Sequence, residues 1–209
     1  MTLTPPLLDR FYPIVPDSSW LTRLAPLGVR TVQLRVKDQP IDRVRAEIQT
    51  SIGIARQFGI QLIVNDYWRE AILAGADFVH LGQEDLAIAD IAEIKRAGVR
   101  LGISTHTEAE LRTALVANPD YIALGPVYET KLKAMPWAPQ GLPRVTAWKA
   151  VIGSRPLVAI GGITPERAPG VFAAGADSVA VITDFLTHEH PEARVRAWVA
   201  WSLDQAVRK

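Results

Sequence analysis

Eight short apolar runs recur along this 209-residue chain, and the stretches between them carry a helical period. The runs are YPIV (12–15), TVQL (31–34), QLIV (61–64), FVHL (78–81), RLGIS (100–104), YIAL (121–124), LVAI (157–160) and SVAVI (178–182). They are continuous rather than alternating in hydrophobicity, the pattern of parallel strands covered on both faces. Between the second and third, residues 41–58 place Ile41, Val44, Ile48, Ile52 and Ala55 at helical spacing. Two segments, AILAGADFVHLG and VFAAGADSVAVI, repeat the same transition, ending a helix near Gly75 or Gly175 and entering a strand.

Eight strand–helix units in a chain of this length predict a single α/β domain over residues 1–209, a (β/α)8 TIM barrel near the lower end of its size range of about 200 residues. A doubly wound open sheet is the competing fold. No Gly-x-Gly-x-x-Gly follows the first strand, and polar residues recur after many strands instead of at one crevice, which favours the barrel.

Composition narrows the chemistry. The absence of cysteine excludes disulfides, thiolate metal sites and a cysteine nucleophile. Lys and Arg number 23 against 22 Asp and Glu, so the charge balance implies no nucleic-acid partner. The N-terminal segment lacks the pattern of a secretion signal and no run approaches the roughly 20 apolar residues of a membrane span, so a cytoplasmic protein is expected. Trp148, Trp198 and Trp201 fit the core or an interface of a homo-oligomer, with the core preferred.

In such a barrel the reacting groups stand at the C-terminal ends of the strands. There the sequence puts Gln33, Arg35 and Lys37 at alternate positions, then Asn65 and Asp66, then Gln83, Glu84 and Asp85, then Ser104, and finally Thr130, Lys131 and Lys133. Asp66 and Asp85 follow neighbouring strands and could share a hard cation, since Mg2+ takes one or two carboxylates with substrate phosphates and water. Arg35, Lys37 and Lys133 around it would grip phosphate, which points to a pyrophosphate handled through Mg2+. Each residue also has a plainer role available. Asp85 and Asp66 could cap the helices that follow them, and Arg35 or Lys37 alone could be a solvated charge. Gly161 and Gly162, in AIGGIT after the seventh strand, are placed for a phosphate cradle or simply for a tight turn.

The segments VQLRVK, LIVNDYWREAILAGADFVHLGQEDL, LGISTHTEAEL, PDYIALGPVYETKLK, LVAIGGIT and GADSVAVIT together resemble the thiamine-phosphate synthase family over residues 31–183. The resemblance implies a transferase that joins hydroxymethylpyrimidine diphosphate to a thiazole phosphate, through a carbocation-like step with pyrophosphate leaving. It implies that Gln33 binds the pyrimidine and that Arg35, Lys37, Asn65 and Lys133 bind pyrophosphate. It further implies Asp66 and Asp85 as Mg2+ ligands, Ser104 near the reacting centre, Thr130 on the phosphate loop, and Gly162, Ile182 and Thr183 at the thiazole phosphate. Small-molecule substrates are thus the implied partners.

One departure from the family stands out: its loop reads Thr-x-Thr-Lys, where this chain has Thr130, Lys131, Leu132 and Lys133. Trp137, just beyond, could cover the site or anchor the loop. Rival readings are a thiazole tautomerase using His106 as proton shuttle, and a non-catalytic barrel that binds thiamine intermediates. The first needs none of the diphosphate and metal set, and the second is favoured only by Leu132.

Overall fold

Each apolar run becomes a strand because its side chains are buried on both faces, leaving the backbone no partner but its neighbours. The structure, a computed structural model, describes residues 8–130 and 138–207. Its strands are β1 (Phe11–Val15), β2 (Thr31–Leu34), β3 (Gln61–Asn65) and β4 (Phe78–Leu81). They continue with β5 (Arg100–Thr105), β6 (Tyr121–Leu124), β7 (Leu157–Ile160) and β8 (Ser178–Val181). All pair in parallel in chain order, and β8 returns to β1 with Phe11 opposite Val179 and Pro13 opposite Val181. The fold is a closed (β/α)8 barrel, as the apolar runs predict.

The 18-residue helix Ile41–Phe58 buries Val44, Ile48, Ile52 and Ala55, the expected face. Ile41, read as part of that face, is exposed, because it occupies the first helical position where the stripe has not yet met the barrel. Gly75 ends the helix Trp68–Ala74 at φ 71°, a conformation that glycine adopts without strain.

Two apolar layers follow from the alternation of side chains along each strand. One lies between strands and helices. The other fills the barrel and includes Ile14, Ile63, Phe78, Val158 and Ala180 with the rings of Tyr12 and Tyr121. Gly102 on β5 makes room for one of them, since any Cβ there would overlap the Tyr121 phenol. Trp148 and Trp198 are fully buried, in the core as preferred. The indole N–H of Trp148 donates to Thr105 Oγ1 at 2.9 Å, and that hydroxyl donates to the Ala123 carbonyl at 2.9 Å, fastening the helix Gly141–Ile152 to β5 and β6. Trp198 stacks on Phe11 at 5.1 Å, and Trp201 packs against Phe172 at 5.2 Å.

Gly102→Ala is expected to lower Tm by about 5–10 °C, as overpacking of a filled barrel does. Thermal melts of the two proteins read it, and an unchanged Tm would refute the fit.

Candidate active site

The C-terminal ends of the strands surround a cavity of about 590 Å3. Its charged mouth is built by backbone that continues the strands. The N–H of Arg35 donates to the Val15 carbonyl at 2.8 Å, so the β1–β2 ladder runs one residue past β2 and presents Arg35 at the rim. Lys37 lies two residues further and pairs with the Asp66 carboxylate.

Asp66 sits at φ 67°, left-handed backbone that Asp tolerates better than most residues. Its N–H still donates to the His80 carbonyl at 2.9 Å and its carbonyl accepts from the Trp68 N–H at 2.7 Å. The chain therefore reverses at this one residue, and local strain held by its surroundings is characteristic of functional positions. Neither acid caps a helix. The helix after β3 starts at Trp68 with Tyr67 as N-cap, and the helix Gln83–Ile88 has Gly82 as N-cap, leaving Asp85 in its first turn.

The two carboxylates face one another. Burial, then the charge and hydrogen bond of Asp66, push Asp85 up to about 6, against the opposing pull of Lys37. Two acids held this close resist joint ionisation unless a cation joins them. Among the described residues no group of three or more His, Cys, Asp or Glu side chains could hold a metal, so any ion here would rest on this pair and on oxygens from elsewhere.

The floor is polar and buried. Gln33, Tyr12, Tyr121 and His80 are each at most 6% exposed, yet all line the cavity and are linked by hydrogen bonds of 2.7 to 2.9 Å. His80 Nε2 reaches Ser104 Oγ at 2.7 Å, and Gln83 Nε2 donates to the Ser104 carbonyl at 2.6 Å. Burial lowers the His80 pKa to about 4, outweighing the charge of Asp66, so the imidazole is neutral.

Opposite this floor, the β6 loop lies against β7. Val127 N–H donates to the Ile160 carbonyl at 2.8 Å and Tyr128 N–H to the Gly161 carbonyl at 3.0 Å. A Cβ on Gly161 would press on Pro126, and one on Gly162 on Glu129 and Tyr128. The paired glycines are thus required by the neighbouring loop, a reason absent from both sequence readings, while Gly162, Ile182, Thr183 and Thr130 still line the cavity. Asp184 beside them accepts from Arg194 at 2.8 Å through both oxygens and from the Trp198 indole at 2.7 Å.

The structure thus gathers Gln33, Arg35, Lys37, Asn65, Asp66, Asp85, Ser104, Thr130, Gly162, Ile182 and Thr183 around one cavity. Lys133, with Lys131, Leu132 and Trp137, lies outside the described residues. Tyr12, His80 and Tyr121 escaped the sequence reading, which took their runs as plain strand; the signal was a polar atom inside an otherwise apolar run. His106 also lines the cavity, but its backbone N–H and Nδ1 lie 2.6 and 2.9 Å from Glu110 Oε2, which anchors it at the start of the helix Glu108–Val116.

A closed barrel with an acid–base rim over a buried polar floor has the arrangement of a (β/α)8 enzyme. The family model described as thiamine monophosphate synthase matches residues 12–185, and the chain belongs to that family. A thiamine-phosphate synthase of Rhizobium etli is 57% identical over 193 residues, covering 92% of this chain and 95% of its own. One from Salmonella choleraesuis is 48% identical over 180 residues, covering 86% and 85%. In structure, a thiamine phosphate pyrophosphorylase from Pyrococcus furiosus superposes with TM-score 0.80 at 24% identity over 93% of this chain and 96% of its own, a likeness of fold.

Because folded His80 resists protonation while the unfolded chain takes up its proton near pH 6.5, stability is intact above that pH and falls as pH drops toward 4. Between pH 7.5 and 5 this is a loss of about 2 kcal/mol. Urea unfolding at both values should show the loss shrinking by about that amount in His80→Gln; equal losses in the two proteins would contradict a neutral His80.

Proposed function

We propose that this chain joins 4-amino-2-methyl-5-hydroxymethylpyrimidine diphosphate to a thiazole phosphate, yielding thiamine phosphate and pyrophosphate. The observation that carries the reading is the facing pair Asp66 and Asp85, flanked by Arg35 and Lys37 at the mouth of a buried polar floor. Family membership supports it independently.

On this reading the pyrimidine lies on the floor against Gln33, and its diphosphate points to the rim. Arg35 grips phosphate oxygens through its forked guanidinium and Lys37 as a point charge, with Asn65 donating from the end of β3. Asp66 and Asp85 fit Mg2+, which would share their paired charge with diphosphate oxygens and supply charge stabilisation to the leaving group. The carbon–oxygen bond to pyrophosphate breaks early, and the electron pair leaves with pyrophosphate. The electron-rich aminopyrimidine carries the resulting cation until the thiazole nitrogen attacks it. Little proton transfer is needed, so the rim works by fixed charge and the buried floor by limiting the access of water to the cation.

Ser104 stands beside the reacting carbon in this scheme, and Lys133 adds a cation from the loop after Thr130. Gly162, Ile182 and Thr183 receive the thiazole phosphate. The whole chain acts as one barrel domain, and a cytoplasmic location accords with a cysteine-free protein acting on phosphorylated intermediates. Among the described residues no helix is long and apolar enough to cross a membrane. A tautomerase would have no use for Gln33, Arg35, Lys37, Asp66 and Asp85, which line the same cavity as His106.

Purified protein should release pyrophosphate only when pyrimidine diphosphate, thiazole phosphate and Mg2+ are all present, with thiamine phosphate accumulating. Tight binding of the diphosphate with no release would replace this reading with that of a binding protein. Mg2+ added with inorganic pyrophosphate should raise Tm by about 2–5 °C in the wild type and not in Asp66→Asn or Asp85→Asn. An equal rise in all three would remove both aspartates from the metal site.

A further inference from the structure

Five polar side chains from five strands form one unbroken line of hydrogen bonds across the barrel floor. Gln33 on β2 donates its amide N–H to the Tyr12 phenol on β1 at 2.7 Å. The Tyr12 oxygen lies 2.9 Å from that of Tyr121 on β6, which lies 2.7 Å from Nδ1 of His80 on β4. The other imidazole nitrogen is 2.7 Å from the hydroxyl of Ser104 on β5. Gln33 and Ser104, the two ends, are both groups that the proposed reaction uses, while the three between them have no part in it so far.

The direction of every proton in this line follows from the Gln33 amide, whose Nε2 faces Tyr12. An amide N–H only donates, so the Tyr12 oxygen accepts from Gln33 and its own proton turns to Tyr121. Tyr121, having accepted, passes its proton to His80 Nδ1. Nδ1, accepting that proton, carries none of its own, so the ring N–H is on Nε2 and points at Ser104. Ser104 accepts there, and its hydroxyl proton is left for the cavity. At the opposite end the Gln33 carbonyl oxygen is left as an acceptor.

Only one other arrangement satisfies every link and also gives each buried phenol proton a partner. Gln33 turns its carbonyl to Tyr12, each phenol reverses, His80 carries its proton on Nδ1, and Ser104 donates to His80. The amide then offers only N–H groups to the cavity, and Ser104 no longer has a proton for it. The line is therefore two-valued, and its two ends switch together.

We propose that Tyr12, Tyr121 and His80 are positioning residues that hold Gln33 with its carbonyl oxygen, and Ser104 with its hydroxyl proton, toward the cavity, so selecting a substrate ring with an amino N–H over one with a carbonyl at the same place. The selectivity rests on the pyrimidine reading above; the proton order rests on the hydrogen bonds alone. A ring carbonyl would meet the lone pairs of Gln33, and relieving that contact means reversing all five groups and withdrawing the Ser104 proton from the reacting centre.

Two measurements test this separately. In protein labelled with 15N-histidine, long-range 15N–1H correlation, assigned by the loss of the signal in His80→Gln, should show the Nε2–H tautomer at pH 7.5. It should persist in Tyr12→Phe, which leaves the Tyr121 to His80 link, and become mixed in Tyr121→Phe. An Nδ1–H or imidazolium form in the wild type would overturn the proton order. In pyrophosphate-release assays, the ratio of kcat/KM for the 4-aminopyrimidine diphosphate over its 4-oxo analogue should fall at least about tenfold in both Tyr→Phe variants. Equal loss toward both compounds, with the ratio kept, would make the tyrosines structural supports only and overturn the proposal. Release from neither compound by the wild type would defeat the pyrimidine reading and its selectivity together, with the tautomer still deciding the proton order.

Discussion

Closure of the sheet through β1 and β8 is the constraint on which everything else in this molecule depends. A parallel strand leaves its reactive end on the same side as every other strand, and closure turns that side into a ring. Residues as distant in sequence as Gln33 and Thr183 then line one cavity without any long loop to bring them together. Closure also has an internal requirement, because the barrel must be filled. Tyr12 and Tyr121 meet that requirement edge to face with ring centroids 6.3 Å apart, and their hydroxyls must then find partners away from water. The polar floor thus gives partners to two phenols packed where smaller apolar side chains could have gone.

Rim and floor work on different physical terms. At the rim, Arg35 and Lys37 are exposed to solvent and open to an incoming anion. The acid pair beside them is partly sheltered, which makes its mutual repulsion count. On the floor the groups are neutral, and their effect lies in direction more than in charge.

The fold was legible because periodicity is a property of the chain itself. Four of the eight strands, TVQL, FVHL, YIAL and LVAI, begin and end where their apolar runs do. The rim was legible because charged residues directly after buried strands are conspicuous. What the sequence obscured was anything depending on the third dimension of the interior. His80 stands inside FVHL, and only the register pairing it with Gly102 and Asn65 shows that it points into the barrel toward Tyr121. The capping alternative for Asp85 was open from sequence, but the helix begins immediately after Gly82, three residues earlier than an Asp85 cap would have it. The glycine pair has a further reason that its motif does not display: its missing side chains leave space that the β6 loop fills.

That filled space has a wider consequence. The segments GPVYET and IGGI are locked face to face by two backbone hydrogen bonds and by contacts that admit no Cβ. Length and sequence in one therefore cannot drift while the other stays as it is, and a descendant of this chain must inherit or replace them as a pair. The part of the wall nearest Thr130 and the part nearest Gly162 have, in effect, a single evolutionary history.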